Sequence, residues 1–86
     1  MIDESVFMRL LGKRLRLLRL TREMTQEELA DAAGISRSFV SLLEHGARGV
    51  DMVGLLRLAA VLGLPLHELV RVEQATTADQ VEGLPS

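Results

Sequence analysis

The chain has 86 residues, with ten Lys plus Arg against twelve Asp plus Glu, two His, two Phe and no Cys, Trp or Tyr. That length fits one small domain and no separate effector domain, and the cysteine count excludes disulfides and thiolate metal sites. Its 48% apolar and 26% charged residues are those of a globular chain, while the longest apolar run, Leu58 to Leu66, is less than half of what a bilayer span needs.

The two histidines, His45 and His67, are too far apart to form a ligand pair at helical spacing, so no metal site is expected. Met1 to Ser5 are acidic where a signal peptide would be basic, and the expectation is a cytoplasmic protein with no membrane partner. The net charge of −2 conceals an uneven distribution. Residues 5–71 hold all ten basic side chains and seven acids, which leaves this body positive, and the remaining acids sit at the two ends.

Apolar residues recur at three and four positions throughout the body, as helices require. A first helix is expected from about Ser5 to Arg22, with Phe7, Leu11, Leu15 and Leu18 on one stripe and Leu10, Leu17, Leu20 and Met24 on a second. Together the stripes are wider than one core contact needs, so part of this helix is available to a partner. Thr25-Gln26-Glu27-Glu28 has the spacing of a capping box and starts a second helix, which carries Leu29, Ala30 and Ala33 inward and stops at Gly34.

Ser36 caps a third helix that runs to Glu44 or His45 and ends at Gly46. Asp51 caps a fourth, whose expected buried face is Met52, Leu55, Leu56, Ala59 and Leu62, ending at Gly63. Pro65 opens a short fifth helix with Leu66, Leu69 and Val70.

A helix, a Gly-containing turn and a second helix can present the second as a probe when small residues let the two cross closely; Ala30, Ala33 and Gly34 supply these. At about 100° per residue, Val40 and Leu43 of the third helix point one way while Arg37, Ser38, Ser41 and Leu42 point the other. Arg37 can donate two hydrogen bonds to guanine, Ser38 and Ser41 can bond base or phosphate, and Leu42 can meet a thymine methyl. Ser36 opens a first turn that holds no acid, and Gln26 is a neutral donor for a backbone phosphate. Glu44, a lone carboxylate without a partner nucleophile, reads as one half of an ion pair. His45 reads as a helix-end histidine favoured by the dipole, with a phosphate contact when charged as the alternative. No phosphate-binding Gly loop, nucleophile elbow or paired carboxylates occur, so neither an enzyme nor a cofactor is expected.

From Gly12 to Val70 the chain resembles the helix-turn-helix domain of phage repressors, Cro and the xenobiotic-response-element regulators. The matching residues are Leu11-Gly12-Lys13-Arg14 through Arg19, Thr25-Gln26-Glu27-Glu28-Leu29-Ala30, Ala33-Gly34-Ile35-Ser36, Val40-Ser41, Glu44-His45-Gly46, Leu55-Leu56 and Leu58-Ala59. The resemblance implies an all-α, five-helix, lambda-repressor-like DNA-binding domain over residues 5–71, with 72–86 as a polar, flexible tail. It implies a transcription regulator that binds a partly palindromic double-stranded operator as a homodimer, with the third helix in the major groove.

Carried over by position, Arg37, Ser38 and Leu42 would face bases. Gln26, Ser36, Ser41, His45 and Arg48 would meet the backbone, joined by Arg14 or Arg19, although Arg19 with Glu44 also matches a pair that in this family often bridges the first and third helices. Where many relatives have a basic or Asn-Pro loop, this chain has Arg48-Gly49-Val50, which leaves clamping there to Arg48. Phe39 and Leu42 make the recognition helix greasier than usual. The dimer surface is expected at Leu64, Leu66, Leu69 and Val70, with Leu17 and Leu20 as the competing patch. The alternative function is a protein-interaction module, such as the antitoxin of a toxin pair, whose main partner is another protein.

Overall fold

Five helices form in the order α1 (Glu4–Thr21), α2 (Gln26–Ala33), α3 (Arg37–Glu44), α4 (Met52–Leu62) and α5 (Leu66–Leu69). The structure is a computed structural model and describes residues 3–72. Each of the first four helices starts where a short polar side chain satisfies a free backbone amide. Asp3 accepts from the Ser5 amide, Ser36 from Phe39 and Asp51 from Gly54. At Thr25 the capping box is complete in both directions, with the Thr25 amide donating to Glu28 Oε1 at 2.8 Å and the Glu28 amide to Thr25 Oγ1 at 3.0 Å.

Gly34 ends α2 at φ 72°, a left-handed conformation that costs other residues more. The Ile35 amide then donates to the Ala30 carbonyl at 3.0 Å, and only residues 34–36 separate α2 from α3. This short connection sets the angle at which α3 leaves α2 and so fixes which way its outer face points.

Leu15 of α1, Leu29 of α2, Val40 of α3, Leu58 and Leu62 of α4, and Leu69 of α5 meet in one core. Burying each aliphatic side chain contributes about 1.5–3 kcal/mol. Gly12 is buried where α1 crosses the end of α3; a Cβ there would collide with the carbonyl oxygens of Leu43 and Glu44.

Three expectations need correction. The buried face of α4 is Gly54, Leu58, Ala59 and Leu62, whereas Met52 and Leu56, assigned to the core from spacing, are 60% and 50% exposed. Almost every α4 residue is apolar, so periodicity alone does not choose a face; the Arg57 guanidinium, directed toward Gly34 at the end of α2, marks the polar side. Leu69 is 0% exposed, so it belongs to the core and to no dimer surface. Val72, expected to begin the tail, is also buried, which carries the packed body one residue further; residues 73–86 lie outside the described residues.

Candidate nucleic-acid interface

The eight residues of α3 divide into two faces. Val40, Leu43 and Glu44 are buried, while Arg37, Ser38 and Leu42 are exposed and Ser41 is half-buried. His45, just past the helix end, is exposed on the same side. The structure therefore brings Arg37, Ser38, Ser41, Leu42 and His45 onto one outward surface. Ser36 lies exposed at its N-terminal edge, its Oγ accepting from the Phe39 amide at 3.0 Å while the hydroxyl proton remains available to donate. His45 Nδ1 lies 2.7 Å from the Ser41 carbonyl oxygen. A carbonyl only accepts, so Nδ1 carries the proton and Nε2 is the atom left to meet a ligand.

Beneath this surface, Arg19 and Glu44 form a paired fork. Arg19 Nε and Nη2 donate to Glu44 Oε2 at 2.6 Å and Oε1 at 2.9 Å, and Arg19 Nη1 donates to the Met24 carbonyl at 2.8 Å. Burial of Glu44 alone would raise its pKa. Hydrogen bonds from Arg19 and Gln26, with the charges of Arg19 and Arg16, outweigh that and hold the carboxyl below its ordinary value. The same hydrogen bond to Glu44 raises Arg19 against the opposing effect of burial. The ion pair expected from sequence is thus present and buried.

Gln26 takes part as well. Its Nε2 donates to Glu44 Oε1 at 3.2 Å, which leaves the amide a second hydrogen and its carbonyl oxygen for an outside group. Sequence reasoning missed this contact, which has no signal in helical spacing because the two residues lie on different helices.

The basic residues also sort differently from the sequence reading. Arg14, offered as a phosphate contact, instead donates to the Glu68 and Leu69 carbonyls of α5, and Arg19 is buried in its ion pair. Arg22 donates to the Leu62 carbonyl at the end of α4. These side chains hold helices together. Arg37 and Arg48 stay exposed, and the Arg48 guanidinium sits 4.2 Å from the centre of the Phe39 ring, a pairing across loop and helix with no sequence signature.

Among the described residues no group of His, Asp or Glu is arranged to hold a metal ion, and no helix is long and apolar enough to cross a membrane.

A sequence profile described as "Helix-turn-helix domain" matches residues 10–72. The chain belongs to this family. The restriction-modification controller protein C.AhdI of Aeromonas hydrophila is 40% identical, and its structure aligns over 72% of this chain and 94% of its own with a TM-score of 0.71. SinR, the master regulator for biofilm formation solved in complex with DNA, is 28% identical over 70% of this chain and 97% of its own, with a TM-score of 0.67. The immunity repressor protein of Bacillus phage phi105 is 30% identical over 71 residues, which are 83% of this chain and 49% of that protein.

The resemblance to phage repressors and Cro is borne out, and with it the all-α, five-helix class, which holds no strand among the described residues. The helix-turn-helix here is α2, the turn at residues 34–36 and α3. The protein is a DNA-binding transcriptional regulator of this type.

Proposed function

We propose that the protein regulates transcription in the cytoplasm by binding an inverted-repeat operator in double-stranded DNA as a homodimer, with α3 of each copy in the major groove. The observation that carries this reading is the division of α3, whose inner face is held by the core and the Arg19–Glu44 pair while Arg37, Ser38 and Leu42 face outward. Arg37 and Ser38 would bond base edges, and Leu42 would pack on a thymine methyl. Gln26, Ser36, Ser41, His45 and Arg48 would meet the sugar-phosphate backbone on either side and fix the register. The two α3 helices would lie about 34 Å apart in successive major grooves.

For the dimer surface, Leu64, Leu66 and Val70 are half-buried at the α5 end, with Leu69 withdrawn into the core. Glu68 and Arg71 beside them carry opposite charges, which a two-fold contact can pair. Leu17 and Leu20 are more exposed, but Lys13 and Arg16 on the same outer side of α1 would face their own copies there and repel. No cofactor and no catalytic step enter this reading.

A second reading, an antitoxin-like module that binds another protein, draws on the exposed Leu17, Leu20, Met52, Val53 and Leu56. Selection of bound duplexes from a random pool tests both. A palindromic consensus is the expected result; recovery of no preferred sequence by the pure protein would favour the protein-binding alternative.

A further inference from the structure

Most of the arginines on this fold are held by groups that spend their charge. Arg14 and Arg22 donate to carbonyls at helix ends, Arg19 is paired with Glu44, and Arg71 with Glu68. Arg48 is held in another way. Its guanidinium stacks on the Phe39 ring, and among the described residues no carboxylate pairs with it. An acid would have ordered this side chain and cancelled its charge, whereas a neutral ring orders it and leaves the charge intact.

Phe39 lies about 60° around the α3 axis from Leu42, on the flank between the outward face and the core. Its ring is half-buried against the core cluster, which leaves the other side for the guanidinium. Stacking uses the flat face of Arg48, so the N–H edges remain directed sideways, the geometry in which a guanidinium grips a phosphate with two parallel hydrogen bonds. Arg48 follows the turn at Gly46 and precedes Gly49, a segment in which an unsupported arginine would lose conformational freedom on binding.

We propose that Phe39 is a positioning residue, which holds Arg48 beside the recognition helix so that it engages a phosphodiester flanking the bases read by α3. This rests on the DNA-binding reading above and adds a role for the aromatic residue that makes α3 unusually apolar. It also separates the two exposed arginines, with Arg37 assigned to bases and Arg48 to the backbone.

The test is a double-mutant cycle with the duplex recovered by selection, titrated over a range of salt concentrations, with thermal unfolding measured for each variant. Arg48→Ala is expected to weaken binding on cognate and unrelated duplexes alike and to lower the salt slope by about 1. Phe39→Leu is expected to weaken binding about two- to fivefold while keeping the salt slope, since the charge is still present. Phe39→Tyr should restore the affinity, and Phe39→Leu should add nothing in the Arg48→Ala background.

If Phe39→Leu unfolds, Arg48→Lys serves instead; it keeps the charge, loses the planar stack, and should weaken binding with the slope unchanged. Equal losses from Phe39→Leu with and without Arg48, or an Arg48→Lys protein that binds like the parent, would overturn the positioning role. Failure of the unmodified protein to bind any duplex would instead remove the operator reading, a result distinguishable from the first because it precedes any substitution.

Discussion

Arg19 and Glu44 join α1 to α3 through two charge-assisted hydrogen bonds of 2.6 and 2.9 Å, placed directly behind the recognition surface. Gln26 and the Met24 carbonyl complete the arrangement, so the start of α2 and the turn before it are bound to the same pair. The orientation of α3 is therefore set from inside by polar contacts as well as by apolar packing. Such a buried pair adds little net stability over apolar residues of similar volume, but its half-removal is costly, because the remaining charge loses its partner without regaining water.

Glu44→Gln is accordingly expected to destabilise the fold by about 3–5 kcal/mol. The double variant Arg19→Met/Glu44→Leu should lose less than Glu44→Gln alone, since it leaves no unpaired charge. Urea unfolding of the three proteins checks the order. A double variant as unstable as the single one would mean that the pair contributes directional contacts no apolar filling replaces.

The lowered pKa of Glu44 makes a pH prediction whose sign is definite. A carboxyl with a folded-state pKa below its unfolded value contributes stability that is fully present above the unfolded pKa and is lost as pH falls through the folded one. Melting temperature should therefore fall with acidification below about pH 4.5, the ordinary value for this group. The fall should be shallower in Glu44→Gln, which has no carboxylate to protonate. Parallel melting curves across that range would show that other carboxylates govern the acid transition.

Much of this organisation was legible in the sequence because it rests on local chemistry. The capping box at Thr25, the turn at Gly34 and the two faces of α3 follow from residues within four positions of one another, and all three occur in the structure. The family resemblance supplied the Arg19–Glu44 pair, which spacing alone does not reveal. What was misread depends on tertiary choices. In α4, Met52 and Leu56 are as apolar as Leu58 and Leu62, and the fold selects the second set because that side meets α2 and α5. Leu69 looked like a surface leucine on a four-residue helix, yet it closes the core beneath Arg14. The Phe39–Arg48 stack joins a helix flank to a loop, which no periodic pattern encodes.

Gly12→Ala should be destabilising although alanine favours helices by up to about 1 kcal/mol. The added Cβ would meet the Leu43 and Glu44 carbonyl oxygens, backbone atoms that cannot rotate aside, so α1 and α3 must separate. An overpacking cost of about 1–3 kcal/mol is expected. Urea unfolding reads it directly, and a stability equal to or above the parent's would show that the two helices part without cost.

Arg37→Ala should reduce affinity for the selected duplex by about 1–3 kcal/mol and relax the preference at one base pair in each half-site. Competition titrations against single-position variants of that duplex measure this. A uniform loss across all of them would reassign Arg37 to the phosphate backbone.

The dimer surface is tested by charge substitution at Leu66, which is half-buried on α5. Leu66→Asp should shift the monomer–dimer equilibrium toward monomer in sedimentation, with the helical content retained. Leu69→Asp is no test of the interface, because an acid at a site with 0% exposure would unfold the domain. Leu17→Asp tests the competing patch on α1; it should leave the dimer intact, since it lies among exposed basic residues and would if anything reduce their repulsion. Leu56→Asp, at a residue 50% exposed, examines α4 in the same way. Full dimer in Leu66→Asp together with monomer in Leu56→Asp would move the two-fold contact from α5 to the exposed face of α4.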